Sequence, residues 1–180
     1  MYFDRTVMSS CPRKILLSLI LIASLQLPQR AAAAAVRVES LTLSNYEAGT
    51  VVVMTSDRRL FYVLGNGHAL SYPVAVGKGG KTWVGVAHVD GKYLNPAWSP
   101  PDEIRRDKPN LPSVIPGGSP QNPMGVAALT LTPGDYAIHG TNAPSSIGRY
   151  ASYGCIRMFN RDIIDLYRRV SVGAKVVVLK

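Results

Sequence analysis

The stretch that organises this chain lies near its C-terminal end and reads Ile138-His139-Gly140-Thr141, a polar run over 142–150, then Ala151-Ser152-Tyr153-Gly154-Cys155-Ile156-Arg157-Met158. A histidine that ends a short apolar run is followed, sixteen residues later, by a cysteine in a Ser-x-Gly-Cys turn. The thiolate is the attacking form of cysteine, and a neighbouring imidazole can ionise the thiol. The pattern predicts Cys155 as a nucleophile whose pKa is lowered by His139, its base.

The residues around this pair predict the rest of an acyl-transfer site. The glycine before the thiol allows the backbone to approach closely, so the amides of Tyr153, Gly154 and Cys155 are the expected oxyanion donors. Thr141 or a nearby main-chain carbonyl is expected to hold the imidazole in one tautomer. Arg157 is predicted either to bind a substrate carboxylate or to form a structural salt bridge.

The start of the chain predicts a secretory signal peptide over residues 1–35. Basic residues precede a mostly apolar run over 15–27, and Ala31 to Ala35 offer several Ala-x-Ala cleavage frames. An uncleaved membrane anchor is the alternative, but the apolar run is shorter than the ~20 residues of a membrane span. The sequence therefore predicts an exported domain over 36–180, in the periplasm or cell envelope.

Charge and cysteine content restrict the partners of this domain. The chain has a net charge of +9, and removing the four basic residues and one acidic residue of 1–35 leaves +6. For an exported protein this favours cell-wall polymer or an anionic membrane surface over nucleic acid, with a merely solvated basic surface as the alternative. Cys11 lies in the predicted signal, so Cys155 has no disulfide partner and is either reactive or a buried inert thiol.

The spacing of apolar residues predicts one mainly β domain, a sandwich of short strands with a single α-helix near the C-terminus. That helix is expected over 160–170, with Asn160 as its capping residue and one apolar face. Asp90-Gly91 is expected to form the turn that ends the fourth strand. The predicted strands cover 50–54, 60–64, 69–76, 82–89, 126–131, 136–138 and 175–179.

Residues 95–125 have a different character, because eight prolines fall within them. Proline at this density predicts neither helix nor central strand. A long loop in a compact domain is usually functional or disordered. With Trp98 and several charged residues, this one is interpreted as a flap that lines the substrate site, and a floppy insertion is the alternative.

Taken together, these motifs resemble the L,D-transpeptidase catalytic domain, also called the YkuD domain. The resemblance rests on His139-Gly140-Thr141, on the spacing to 152–158, and on the helix and strand that follow. It extends back through Asn122-Pro-Met-Gly125, Asn95-Pro-Ala-Trp98 and Tyr72-Pro-Val-Ala-Val-Gly77, so it covers nearly all of 36–180. One departure is Tyr153, where many members have a second histidine.

The resemblance implies a function in peptidoglycan. Cys155 matches the family nucleophile and His139 the base, while Ser152 and Gly154 match the signature turn. Substrate contacts are expected from Arg157 and from the two residues after the histidine, Gly140 and Thr141. The donor would be a tetrapeptide stem that loses its terminal D-alanine. The acyl acceptor would be an amine of another stem, giving a 3–3 cross-link, or of a wall-attached protein, and covalent inhibition by carbapenems would follow.

Three alternatives remain open from the sequence, one of which is a structural exported domain with an inert thiol. Water as the acceptor would make the protein an L,D-carboxypeptidase, and a domain that keeps the fold without catalysis would be a wall-binding module. No metal or organic cofactor is expected, because His68 and His88 show no metal-ligand spacing with each other or with Cys155.

Overall fold

The computed structural model describes residues 35–37, 43 and 45–180. The predicted signal peptide therefore lies outside the described residues, apart from Ala35 at its end. Within the described part, no helix is both long and apolar enough to cross a bilayer.

Ten short strands and two α-helices make up the described chain. The helices are α1 (Asp102–Asp107) and α2 (Asn160–Arg169), and a 3₁₀ turn covers Pro144–Ser146. The strands are β1 (Ala35–Arg37), β2 (Val51–Met54), β3 (Arg59–Gly65), β4 (His68–Gly77), β5 (Gly85–Leu94), β6 (Ala127–Thr132), β7 (Tyr136–His139), β8 (Tyr150–Ser152), β9 (Ile156–Met158) and β10 (Lys175–Leu179). The predicted mainly β class with one main helix is confirmed.

The strands form one sheet that closes on itself. Its order is β1-β4-β3-β2-β10-β5-β6-β7-β9, and β4 also pairs with β9 and β8. The long strand β4 makes closure possible, because its first half pairs with β1 and β3 and its second half with β8 and β9. The two layers of the expected sandwich are thus opposite sides of a single closed sheet.

The core fills the inside of this sheet. Many inward residues of the strands are β-branched or aromatic, such as Val51, Val74 and the fully buried Tyr72. Helix α2 packs against β6 and β7 and buries Ile163 and Leu166 within the same cluster. Strands β7 and β9, which contribute Ile138, Ile156 and Met158 to this cluster, are therefore backed by a packed core.

Three local expectations are wrong. Helix α1 lies inside the proline-rich segment, because the prolines flank 102–107 and none interrupts it, while acidic residues occupy its first turn and basic ones its last. Strand β5 continues through Asp90-Gly91, which forms a β-bulge opposite β6 and no turn. Asn160 does not cap α2, since the capping position is Phe159 and no side chain caps that end.

Candidate active site

The parallel pairing of β7 and β9 brings the two predicted catalytic residues to one place. Its register sets Ile138 beside Ile156 and His139 beside Arg157. His139 is the last residue of β7, and Cys155 directly precedes β9, one position before Ile156. Adjacent strands lie about 4.8 Å apart, so residues sixteen apart in sequence become neighbours in the fold.

The imidazole of His139 is buried and held in one tautomer. Its Nδ1 lies 2.7 Å from the carbonyl oxygen of Gly140, and a carbonyl can only accept, so in the neutral ring Nδ1 carries the hydrogen. That leaves the lone pair on Nε2 to accept a proton. Of the two partners predicted for this role, the structure selects a main-chain carbonyl and not the Thr141 hydroxyl.

Electrostatics keep this imidazole neutral. Burial lowers the pKa of His139 to about 4, and the positive charge of Arg157 acts in the same direction. Hydrogen bonds to main-chain carbonyls raise the pKa by less. At neutral pH the ring is therefore an unprotonated base.

The thiol of Cys155 also favours its neutral form. Burial raises its pKa, while a main-chain hydrogen bond from Ala137 and the charge of Arg157 lower it by less. The expectation that His139 would lower this pKa by forming an ion pair is therefore wrong for the resting structure. Burial is the largest influence on the pKa of each group and favours its uncharged form, so the two groups rest as thiol and imidazole.

The turn that carries the thiol is held by its own serine. Ser152 Oγ donates to the carbonyl oxygen of Cys155 over 2.6 Å and accepts from the amide of Gly154 over 3.1 Å. Because the Gly154 amide is engaged in this way, it is unsuited to the oxyanion role predicted for it. The amides of Tyr153 and Cys155 are the remaining candidates of the three.

Two aromatic residues that the sequence did not single out support this turn. Trp83 Nε1 donates to the carbonyl oxygen of Gly154 over 3.0 Å, and its ring stacks on Tyr136 with centroids 4.7 Å apart. Gly154 has a φ of +122°, and a methyl group there would lie 2.6 Å from Cε1 of Tyr136. Only glycine fits this position, which explains the residue before the thiol.

Asn160 organises the other side of the site, although the sequence assigned it to a helix cap. Its Oδ1 accepts a hydrogen bond from the amide of Thr141 over 2.9 Å. The same oxygen lies against Gly125 and Gly140, where a methyl group would collide with it. Thr141 is buried and its hydroxyl accepts from the amide of Ala143, so it shapes the loop after His139.

Arg157 occupies an unusual position for a cation. Burial lowers its pKa, and the Nε atom is buried without a hydrogen-bond partner. Within the described part of the chain it forms no ion pair, so the structural salt bridge is not found there. A guanidinium left unpaired beside the nucleophile is available to a carboxylate.

A cavity of about 530 Å³ lies beside the loop that follows His139. Its walls come from four separate parts of the chain. The residues that line it include Asn122, Gly125, Thr141, Asn142, Asn160 and Arg161. Thr141, which lines the cavity, lies two residues after His139, whereas His139 and Cys155 are not among the lining residues.

The comparison with protein families decides the identity of the domain. A family model described as the L,D-transpeptidase catalytic domain (YkuD) matches residues 48–178, which include both strands of the site and the turn between them. The chain belongs to this family. The resemblance seen in the sequence motifs is thereby confirmed.

Curated L,D-transpeptidases of Escherichia coli K12 are similar to this chain. The probable L,D-transpeptidase YbiS is 38% identical over 135 residues, which cover 70% of this chain and 43% of YbiS. The probable L,D-transpeptidase YcfS is 39% identical over 140 residues, covering 73% of this chain and 43% of YcfS. The chain thus spans less than half the length of these relatives.

Solved L,D-transpeptidases share the fold. L,D-transpeptidase 3 from Mycobacterium tuberculosis, in complex with a faropenem-derived adduct, superposes with a TM-score of 0.56 at 17% identity. The superposition covers 74% of this chain and 60% of that protein. At this identity the likeness concerns the fold, which is that of an L,D-transpeptidase domain.

Proposed function

We propose that this protein is an exported peptidoglycan L,D-transpeptidase in which Cys155 is the nucleophile and His139 the general base. The observation that supports the proposal most is the parallel pairing of β7 and β9, whose register brings His139 beside Arg157, two residues after Cys155, while Nδ1 of His139 lies against the Gly140 carbonyl. Membership of the L,D-transpeptidase domain family supports the same reaction class. The family match concerns the domain, and we propose the same reaction for the whole protein.

The reaction proceeds through a thioester. Nε2 of His139 takes the proton as Sγ of Cys155 attacks the carbonyl carbon of the third, diamino-acid residue of the donor stem. The amides of Tyr153 and Cys155 donate to the resulting oxyanion. The C–N bond to D-alanine then breaks, and the imidazolium returns its proton to the leaving amine.

The second half of the reaction regenerates the enzyme. An amine from a second stem, or from a wall-attached protein, attacks the thioester carbon, its proton passes to His139, and the thiolate leaves and is reprotonated. The product is a 3–3 cross-link or an attached protein. Because the pair rests in its neutral form, the thiol loses its proton during attack and does not need to be ionised beforehand.

Arg157 is proposed to bind a carboxylate of the donor. Its unpaired Nε and its position beside His139 and Cys155 support this role. D-alanine carries a carboxylate one residue beyond the scissile bond, which is within reach of a side chain next to the nucleophile. A charge-assisted contact there selects donors whose chain ends at the fourth residue.

Export rests on the sequence pattern of residues 1–35. The predicted signal peptide would deliver the catalytic domain to the compartment that holds peptidoglycan. The net charge of +6 that remains without residues 1–35 also suits an anionic polymer as partner. Intact residues 1–35 on the protein recovered from the cell envelope would contradict cleavage.

The decisive experiment is incubation of the purified full chain with a disaccharide tetrapeptide, followed by mass analysis of protein and products. We expect a tripeptide acyl adduct on Cys155, release of D-alanine and formation of a cross-linked dimer, all lost in Cys155→Ala. Tripeptide as the main product would instead assign an L,D-carboxypeptidase. A wild-type protein without any adduct, from either tetrapeptide or a carbapenem, would contradict the proposal and favour a wall-binding module.

A further inference from the structure

Residues 98–115 form a segment, here called the cover segment, that is closed at its base. Trp98 and Ile115 exchange two main-chain hydrogen bonds, of 2.9 and 2.8 Å. Asn122 Nδ2 donates to the carbonyl oxygens of Pro96 and Ile115 on the two sides of this base. The two ends of the segment are therefore fixed together, as in an Ω-loop.

The cover segment is braced by its own contacts. Arg105 donates from Nε to the carbonyl oxygen of Pro100 over 2.8 Å and from Nη2 to that of Ser113 over 3.2 Å. Helix α1, which forms its centre, buries none of its residues. The segment can thus move about its base as one piece without exposing a core of its own.

Two polar contacts attach the tip of the cover segment to the rest of the domain. Glu103 forms an ion pair with Lys81, and Asp107 accepts a hydrogen bond from the hydroxyl of Tyr153. Both contacts are solvent-exposed, and Lys78 Nζ lies 4.0 Å above the Tyr153 ring. Exposed contacts of this kind stabilise weakly, so the attached state can open.

The Tyr153–Asp107 hydrogen bond reaches the turn that carries the nucleophile. That turn is already fixed by Ser152 and by the bond from Trp83 to Gly154. The contact therefore does not serve to order the turn. The hydrogen bond instead holds the cover segment, the more loosely attached of the two parts. It keeps this segment next to Tyr153, which precedes Cys155 by two residues in the sequence.

We infer that Asp107, acting through the Tyr153 hydroxyl, is a positioning residue that holds the cover segment over the Cys155 thioester and favours amine over water as the acyl acceptor. This inference rests on the proposed L,D-transpeptidase function. It assigns a role to Tyr153, the residue at which this chain departs from many relatives.

The chemistry of the thioester explains why a cover would matter. Attack by water on the thioester carbon gives a tripeptide carboxylic acid and restores the thiol, whereas attack by an amine gives an amide and the same thiol. Both steps need His139 to accept one proton, so they differ only in which nucleophile reaches the carbon. Holding a segment over the acyl group lowers the frequency of the water reaction.

The acceptor has a separate approach. The cavity beside Thr141 is lined by no residue of the cover segment. A second stem peptide can therefore reach the loop after His139 while Asp107 stays bound to Tyr153. With the cover segment closed, this cavity is the route left to both nucleophiles, and closure removes the approach of water from the covered side.

The test measures a ratio that does not depend on how much of the enzyme is active. The full chain is incubated with disaccharide tetrapeptide, and tripeptide and 3–3 dimer are quantified by mass. We expect Asp107→Ala and Tyr153→Phe each to raise the tripeptide-to-dimer ratio about three- to tenfold, the effect of losing one ordinary hydrogen bond. The double variant should rise no further than either single one.

Matched variants separate this role from a general loss of stability. Asp102→Ala removes a carboxylate from the same helix, one that forms no side-chain hydrogen bond within the described residues, and should leave the ratio unchanged. Asp107→Asn retains an accepting oxygen and should stay close to wild type. Amide hydrogen exchange over 102–107 should rise in Asp107→Ala and not in Asp107→Asn.

The possible outcomes distinguish failure of this inference from failure of the proposed function on which it rests. If the wild type forms no acyl adduct, the proposed function fails and the inference falls with it. If the adduct forms but the ratio is unchanged in Asp107→Ala, or the two single effects multiply in the double variant, only the inference is overturned. A wild type that releases tripeptide alone also overturns it.

Discussion

Arg157 lies directly beside His139 in the parallel register of β7 and β9, so the base of the proposed site has a cation for its neighbour. The guanidinium adds to the effect of burial and holds the pKa of His139 at about 4. The same charge partly offsets the effect of burial on the pKa of the Cys155 thiol. Arg157 thus favours a neutral base and eases formation of the thiolate during attack.

The lowered pKa of His139 predicts a pH-dependent stability. An unfolded histidine has a pKa of about 6.5, so below that pH the unfolded chain binds more protons than the folded one. Stability should therefore fall as the pH drops from about 6.5 to about 4, by roughly 3 kcal/mol from this residue alone. The neutral imidazole contributes fully above this window.

Denaturant unfolding of wild type and His139→Asn at pH 7 and pH 4.5 checks the effect. Carboxylates titrate in both proteins, so their contribution cancels in the comparison. We expect the wild type to lose about 2 to 3 kcal/mol more than the variant over this range. Equal losses would show that the imidazole is not held neutral.

The raised pKa of Cys155 predicts a slow thiol at neutral pH. Alkylation by iodoacetamide requires the thiolate, so Cys155 should react more slowly at pH 7 in the folded chain than in the urea-unfolded chain. The rate should keep rising through the alkaline range. Peptide mass analysis separates Cys155 from Cys11. A rate that is already level between about pH 5 and 8 would indicate the thiolate–imidazolium pair expected from the sequence.

The side chains of His139 and Tyr153 should differ sharply in their importance for acylation of Cys155. His139→Ala removes the proton acceptor and should abolish formation of the acyl adduct on Cys155. Tyr153→Phe keeps the main-chain amide and loses only the hydroxyl bound to Asp107, so the adduct should still form. Time-resolved mass analysis with a carbapenem measures both, and the reverse result would overturn the assignment of the base.

Arg157 should discriminate donors by their terminal charge. Amidation of the terminal D-alanine should lower kcat/KM of the wild type about 10- to 100-fold, the range for a hydrogen bond between two charged groups. In Arg157→Gln the acid and the amide should be used about equally well. The ratio of the two substrates is measured within each variant, so a change in the amount of folded protein does not affect it. A preference for the acid that survives in Arg157→Gln would exclude the role.

Local sequence signals were enough for seven of the ten described strands, though not for β1, β8 and β9, and they singled out the two proposed catalytic residues. β-Branched runs such as 175–179 read as strands because their side chains suit a half-buried sheet. His139 stands out because it ends a short strand before a glycine, and Cys155 because it follows a glycine in a Ser-x-Gly-Cys turn. These features depend on residues within a few positions of one another.

The rest depends on contacts between distant parts of the chain. Nothing local to Trp83 indicates that its indole would reach Gly154, 71 residues away. Asn160 has the sequence signature of a helix cap, yet its oxygen is used by Thr141, which only the packing of α2 against the site can bring about. Helix α1 was missed because proline density was averaged over 95–125, while the effect of proline is confined to its immediate neighbours.

Gly154 offers the sharpest test of how the nucleophile is positioned. An alanine there would have to adopt a φ of +122° and would place its methyl group 2.6 Å from the Tyr136 ring. Gly148 also has a positive φ, of +84°, but a methyl group at that site would meet nothing within 4 Å. Comparing alanine substitutions at Gly148 and Gly154 therefore separates the free-energy cost of the backbone conformation from the cost of the steric clash.

Gly148→Ala should lose about 1 to 2 kcal/mol of stability and keep its rate of adduct formation per folded molecule. Gly154→Ala should lose more than that, because the ring of Tyr136 is stacked on Trp83 and cannot move without releasing the bond from Trp83 to the Gly154 carbonyl. Its adduct formation should fall at least about 100-fold, since the turn that directs Sγ is displaced. Unfolding curves and carbapenem acylation of both variants provide the measurement. Equal behaviour of the two alanines would mean that the aromatic pair does not fix the turn.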